Sequence, residues 1–283
     1  MKFSEQILDN NNVLVVDAMN VAFRWKHQGK TDFSLEYLRT VESLAQSYDC
    51  ARIIIAADQG ASSYRKELLP DYKGNRKEKY KDQTEEEKRE MEKFFAEYEK
   101  TLEVLAEKYL VLRRKYVEAD DLAAYIVRYK EQFGIDDIWL ISSDRDWDLL
   151  VQDGVSRFST VTRKETTVFN WDEFFDFPRE EYISFKVLTG DKGDNIPGIP
   201  GIGPKRASDL IHQYGTAFDI YDAIPIDGRY KYIENLNENA ELLLQNYQLM
   251  DLMSHCPDAV GHPGHSLKEL DKEIKDFIND GTS

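Results

Sequence analysis

The sequence predicts an α/β fold built on a parallel sheet. Three short apolar runs, Val13–Val16, Ile53–Ala57 and Ile138–Ser142, have the unbroken hydrophobic character of strands covered on both faces. Helical patterns separate them, as in a chain of βαβ units. Each run ends on or close to an aspartate: Asp17, Asp58 and Asp144. Ligands of open α/β sheets bind beyond the carboxyl ends of the strands, so three strands would direct three carboxylates into one crevice.

A fourth strand is expected over Tyr109–Tyr116, followed by VEADD at Val117–Asp121 and a helical run, LAAYIVRYK. Glu118, Asp120 and Asp121 then sit at a strand-to-helix junction, where the positive helix terminus tolerates anions. Helix capping accounts for one such acid. It does not account for three in four residues beside a sheet edge.

Composition narrows the class. The chain has 283 residues with 41% apolar and 32% charged side chains, a globular balance with room for a large core. No basic segment followed by an apolar stretch opens the chain, and no apolar run reaches the ~18–20 residues of a membrane span. No membrane partner is therefore expected. Cys50 and Cys256 lie far apart and form no CxxC pair, which points to a reduced, cytoplasmic-type compartment. The net charge of −16 argues against a nucleic-acid partner only if it is spread evenly. The sequence instead separates its charges.

The segment Tyr72–Glu107 is long, charged and helix-prone. Arg65 to Lys81 holds seven Lys/Arg against three Asp/Glu, and Tyr64, Tyr72 and Tyr80 are interleaved with the bases. Such a mixture suits gripping phosphates and stacking bases. The acidic continuation reads as a solvated helix face. Beyond Asp144 come RDWDLL, a hairpin over Val155–Phe169 and a helix over Arg179–Thr189. The Gly/Pro-rich segment GDKGDNIPGIPGIGPKRASDL follows, closed by a helix over Lys205–Tyr214. A glycine-rich loop opening a helix presents N–H groups to an anion. Lys205 and Arg206 in the first turn are unfavourable there unless something anionic docks. Asp148 is expected at the surface or as a cap. Glu238–Asp251 reads as helix and the charged C-terminal tail as loop.

The acids now number seven at four strand ends: Asp17, Asp58, Glu118, Asp120, Asp121, Asp144 and Asp146. Asp191 and Asp194 join them from GDKGDN, on one face if that segment is helical. So many carboxylates share a crevice only with cations present. No His or Cys accompanies them, which disfavours zinc and suits Mg²⁺ or Mn²⁺. Two such ions are the usual device for in-line phosphodiester cleavage. The chain has no GxxxxGK[ST] and no GxSxG. An aspartyl nucleophile in DAMN would leave GIPGIG and the basic stretch without a purpose.

These residues resemble a known family. VVDAMNVAFR, AADQG, LPDYKGNR, VEADD, ISSDRDWDLL and GDKGDNIPGIPGIGPKRA, in this order from about Val13 to Leu210, are similar to the bacteriophage-type flap endonucleases of the 5′-nuclease superfamily. That superfamily includes the nuclease domain of bacterial DNA polymerase I. The resemblance implies a PIN-like parallel sheet with flanking helices, a helical arch over about 64–108 and a helix–three-turn–helix element. The core would cover 1–178, arch included, and the helical region 179–283, with no room for a polymerase domain.

It also implies roles. The nine acids match the family's metal site, with two Mg²⁺ expected and Mn²⁺ as a substitute. Lys73 and Arg76 match arch cations at the scissile phosphate, joined in catalysis by Asp144 and Asp146. Tyr72 would stack on a displaced base. Arg24 and Lys186 match basic residues near the substrate path. Gly201 and Gly203 match a loop gripping duplex phosphates, often with K⁺, and Lys205 and Arg206 would extend that grip. The expected partner is DNA with a 5′ flap or junction, RNA primers being a further substrate the resemblance allows. A monomer is expected, in the host bacterial cytoplasm if phage-encoded. Two rivals are a branched-DNA-binding protein without activity and a PIN-type ribonuclease. The intact acid set speaks against the first and the GIPGIGPKRA loop against the second.

Overall fold

The computed structural model describes residues 10–76, 82–262 and 264–280. They form two compact units. Of the described residues, those within 1–62, 83–167 and 256–283 make up the first, and those within 63–82 and 168–255 the second. The expected arch segment is therefore shared between both units, and its residues 77–81 lie outside the described ones.

The first unit begins with β1 (Val13–Asp17), α1 (Ala18–His27), α2 (Ser34–Ser47) and β2 (Arg52–Ala57). All five residues of β1 are buried, as are Ile53–Ala57, because branched apolar side chains fill both faces. The sheet runs in the order β3-β2-β1-β4-β5-β6, with β3 at Leu110–Arg113, β4 at Ile138–Ile141, β5 at Val155–Phe158 and β6 at Glu165–Thr166. The pairs from β3 to β5 are parallel, and β5–β6 is the expected antiparallel hairpin. One face packs Leu14, Val16, Ile53 and Ile55 against Val21, Tyr37 and the inner half of a long helix, α4 (Glu85–Ala106), through Phe94, Tyr98 and Leu105. Helix α5 (Ala119–Arg128) packs on the sheet through β1 and β2. In this order β1 lies between β2 and β4, where the succession of strands changes direction. That is the crevice in which open α/β sheets bind ligands.

The second unit includes α3 (Ser63–Leu68), α6 (Tyr182–Thr189), the short ladder β7 (Gly190–Asp191) with β8 (Ile196–Pro197), α7 (Pro204–Tyr214), α8 (Ala217–Asp222), α9 (Lys231–Glu238) and α10 (Glu241–Met250). Helices α6 and α7 flank the Gly/Pro-rich loop. A Cβ at Gly198 would stand 2.2 Å from Thr189 O, so only glycine allows this close backbone approach. Buried Asn246 of α10 donates to Val187 O and Pro197 O at 3.0 and 2.8 Å and fixes the loop from beneath.

The chain closes with α11 (Leu252–Gly261) and α12 (Leu267–Asn279). The latter corrects the expectation of a loop-like tail. Leu270, Ile274 and Ile278 recur at i, i+4 and i+8 and are buried, and Ser266 caps the helix by accepting from Glu269 N. The helix expected over Glu238–Asp251 is present as α10, Glu241–Met250, and follows α9, which ends at Glu238. Among the described residues no helix is long and apolar enough to cross a membrane. Cys50 and Cys256 are buried and are not joined in a disulfide.

Candidate metal centre and nucleic-acid interface

The strand ends place the acids as the spacing suggests. Asp17 is the last residue of β1, Asp58 follows β2, and Asp144 lies three residues beyond β4, so adjacent strands β2, β1 and β4 carry them at one edge. Asp17 also caps α1, its Oδ1 accepting from Asn20 N at 3.1 Å. Burial, then the nearby Asp58 charge, pushes the Asp17 carboxyl up to about 8, although bonds from Ser142 and Asn20 pull the other way. The Asp144 charge adds a smaller rise.

The VEADD acids enter from α5. Glu118 is the N-cap residue, is buried, and accepts from Ser62 N at 3.2 Å. Asp58 Oδ1 accepts from Ala119 N at 2.9 Å, which ties the β2 end to the start of α5. Asp120 Oδ1 accepts from Trp147 Nε1 at 2.6 Å, and Asp121 is fully buried. Asp144 and Asp146 share a 3-10 turn over Arg145–Leu150, where Asp144 Oδ1 accepts from Asp146 N at 2.9 Å. Among the described residues no three Asp, Glu, His or Cys side chains stand close enough to cage an ion as they are.

Asp148, in the same turn, corrects the expectation of a surface or capping residue. It is 1% exposed and accepts from Arg157 Nε of β5 at 2.6 Å. Its carboxyl is raised by burial, more than Arg157 lowers it.

In the second unit Asp194 gathers three groups of the YKGNR segment. Arg76 stands 2.7 Å from its Oδ1, and Lys73 Nζ and the Tyr72 hydroxyl stand 3.5 and 3.0 Å from its Oδ2. Lys73 has φ +56°, and its N–H donates to Asp194 O. Tyr72 departs from its expected role. Its ring is 3% exposed and packs with Ile196, Leu249 and Met250, leaving no open face for a base. Lys186 is buried, and its ammonium donates to Asp191 Oδ2 at 3.4 Å. Burial would raise the Asp191 carboxyl, but Lys186 and the N–H groups of Asp194 and Gly193 hold it below its ordinary value. Those N–H bonds close a turn at the end of β7, so Asp191 and Asp194 do not share a helix face.

Around the loop, Gly201 has φ +86° and Gly203 is the N-cap of α7, with no side chain bonded to the helix start. Lys205 and Arg206 are exposed in the first turn. Arg206 donates to Gly201 O at 2.5 Å and lies 4.5 Å from the Tyr232 ring centre, while Asn235 of α9 donates to Pro200 O at 2.7 Å. Sequence reasoning missed Tyr232, Asn235 and Asn246, which lie far along the chain from the loop they support. Back in the first unit, Arg24 lines a pocket of about 270 Å³ with Arg39, Thr40, Ser43, Thr160 and Arg163.

Comparison with known proteins identifies the family. Residues 12–176 match the family model of the 5′-3′ exonuclease N-terminal resolvase-like domain, and residues 177–273 that of the 5′-3′ exonuclease C-terminal SAM fold. The chain is 42% identical to the flap endonuclease of Escherichia phage T5 over 96% of this chain and 94% of that protein. A crystal structure of the T5 flap endonuclease, in a pseudo-enzyme–product complex with DNA and metal ions, superposes with a TM-score of 0.89 at 42% identity. The match covers 96% of this chain and 100% of that one. Another, of T5 5′-exonuclease with zinc ions bound, gives 0.89 at 43% identity over 95% and 99% of the two chains. Carboxylates take zinc too, so the lack of His and Cys is a weaker argument against that ion than the sequence suggested. With matched domains over nearly its whole length, this chain belongs to the 5′-3′ exonuclease and flap endonuclease family.

Proposed function

We propose that the protein is a divalent-metal-dependent, structure-specific 5′-nuclease. It hydrolyses a phosphodiester where a 5′ single strand meets a duplex, and at 5′ ends of DNA, leaving 5′-phosphate and 3′-hydroxyl ends. One observation carries the reading. Asp17, Asp58 and Asp144 occupy the carboxyl ends of three neighbouring parallel strands at the change of strand direction, in a chain of this family.

The donor set fits hard divalent ions. It consists of carboxylates, and Asp17 is held half-protonated near pH 8 by burial and like charge, a strain that a cation relieves. Mg²⁺ keeps several of its waters and needs only one or two carboxylates, so a preformed cage is not required. Mg²⁺ is the proposed ion, two per site, with Mn²⁺ as a substitute. Asp17, Asp58, Glu118, Asp120, Asp121, Asp144 and Asp146 would hold them, and Asp191 and Asp194 are proposed as further acids of the set. When bound, such ions lower the pKa of the attacking water and stabilise the leaving oxygen.

The chain's own cations do the rest. Lys73 and Arg76 place positive charge for the phosphate as negative charge grows on it, and act as electrophilic groups rather than as bases. The N–H groups of the Gly201–Gly203 loop, with Lys205 and Arg206, grip duplex phosphates, and a K⁺ ion at that loop is part of the proposal. Arg24 contributes a further phosphate contact. RNA primers are proposed as a tolerated 5′ strand, and the active form as a monomer.

A labelled 5′-flap duplex tests this. Cleavage near the junction in Mg²⁺, lost in excess chelator and in Asp144→Asn, is expected. Tight binding in chelator without cutting in Mg²⁺ or Mn²⁺ would leave a junction-binding protein instead.

A further inference from the structure

Two buried donors stand behind the acids. Ser142 is fully buried just past β4, and continuing the Val16–Ile141 register by one residue sets it beside Asp17. Its hydroxyl donates to Asp17 Oδ2 at 2.6 Å and accepts the backbone N–H of Asp144 at 3.1 Å. One hydroxyl therefore joins the two acids on either side of the crevice between β1 and β4. Trp147, also fully buried, makes the corresponding link on the other side. Its Nε1 donates to Asp120 Oδ1 at 2.6 Å and so ties the first turn of α5 to the turn that carries Asp144 and Asp146. A buried hydroxyl or indole N–H needs a partner. Here both find it in an acid of the candidate centre, although neither residue is exposed enough to touch a substrate.

We propose that Ser142 and Trp147 are positioning residues of the metal centre, holding the acids of β1, α5 and the Asp144 turn in place before an ion arrives. The inference rests on the metal-dependent reading above. Carboxylates of like charge repel, and without fixed donors they swing towards solvent. A carboxylate has about four lone-pair positions, so one that accepts a bond from Ser142 or Trp147 keeps others for a cation. The donors thus set the direction of those remaining lone pairs. Groups that orient ligands in this way typically change metal affinity by about 10–100-fold when removed.

The test is Mn²⁺ calorimetry on the full chain without DNA, beside thermal unfolding in chelator. Ser142→Ala and Trp147→Phe are each expected to bind Mn²⁺ about tenfold more weakly than wild type. The Mn²⁺ concentration for half-maximal flap cleavage should rise by the same factor. Tryptophan emission offers a readout that a purely structural role would not move. Titration with Mg²⁺ should change it in wild type, and in Ser142→Ala, which keeps Trp147, the midpoint should move to about tenfold higher Mg²⁺. Unshifted Mn²⁺ isotherms in both variants, even with lowered unfolding temperatures, would assign the donors to the fold alone and overturn the inference. A wild type that binds no Mn²⁺ at all would sink the metal reading itself, and this inference with it.

Discussion

Arg157 and Asp148 form a buried ion pair, Nε to Oδ1 at 2.6 Å, that anchors the turn bearing Asp144 and Asp146 to the neighbouring strand. The same guanidinium donates to Ser142 O at 3.0 Å and to Thr166 Oγ1 at 3.2 Å. It thereby braces β4, β5 and β6 just where the acids leave the sheet.

Removing one partner strands the other's charge in the interior. Asp148→Ala should therefore destabilise the protein by about 3–5 kcal/mol. At roughly 2–4 °C per kcal/mol for a domain of this size, the unfolding temperature should fall by about 10 °C. Replacing both partners, Asp148→Leu with Arg157→Met, should recover most of that loss, because the desolvation cost of both charges disappears. Thermal unfolding of the three proteins decides it. A single variant within about 1 kcal/mol of wild type would show that the pair contributes little.

Asp17 should carry the opposite sign. Its folded carboxyl titrates at about 8, raised first by burial and then by Asp58, against ~3.9 in the unfolded chain. The folded state thus holds a proton that the unfolded state releases between about pH 4 and pH 8, and stability falls as pH rises through that window. Asp17→Asn has no charge to lose and keeps an N-cap for α1. In chelator it should unfold at a higher temperature than wild type at pH 8, and the gap should widen from pH 5 to pH 8. It should not cleave DNA. A gap independent of pH would mean that burial of the carboxylate carries no strain.

The sheet was legible because branched apolar runs buried on both faces have few other uses, and an acid at the end of each run is a local signal. Asp148 was not. In D-x-D-x-D it looks like Asp144 and Asp146, but the 3-10 turn points it inward to Arg157, a partner nine residues away that only β5 brings near. Tyr72 was misplaced for a related reason. An aromatic in a basic stretch reads as a ligand contact, yet Asp194 supplies an internal partner that burial makes more favourable. The C-terminal helix was missed because its charges obscured the i, i+4 spacing of Leu270, Ile274 and Ile278.

Lys73 is held near Asp194 by a backbone bond and a positive φ, a conformation few non-glycine residues adopt without a reason. Lys73→Ala should lower turnover by at least ~10²-fold, the scale of losing one partner of the transition-state charge, with only a modest loss of DNA affinity. Single-turnover cleavage beside equilibrium binding in Ca²⁺ separates the two effects. Near-normal turnover would remove Lys73 from the mechanism.

Lys205 and Arg206 lie at a helix start whose N–H groups and dipole already favour an anion, a place where cations weaken the helix unless phosphate docks. Arg206 is held ready by the Tyr232 ring and by Gly201 O, so little side-chain freedom remains to be lost on binding. Each phosphate contact releases about 0.9 counterion from duplex DNA. Replacing both residues by Ala should therefore weaken duplex binding and flatten the plot of log affinity against log salt by up to about 2. Tyr232→Leu, which keeps both charges but removes the ring under Arg206, should weaken binding with little change in slope. Fluorescence anisotropy with a plain duplex over a salt series measures all three. An unchanged slope in the double variant would show that the loop does not touch phosphate, and would confine DNA binding to other basic groups.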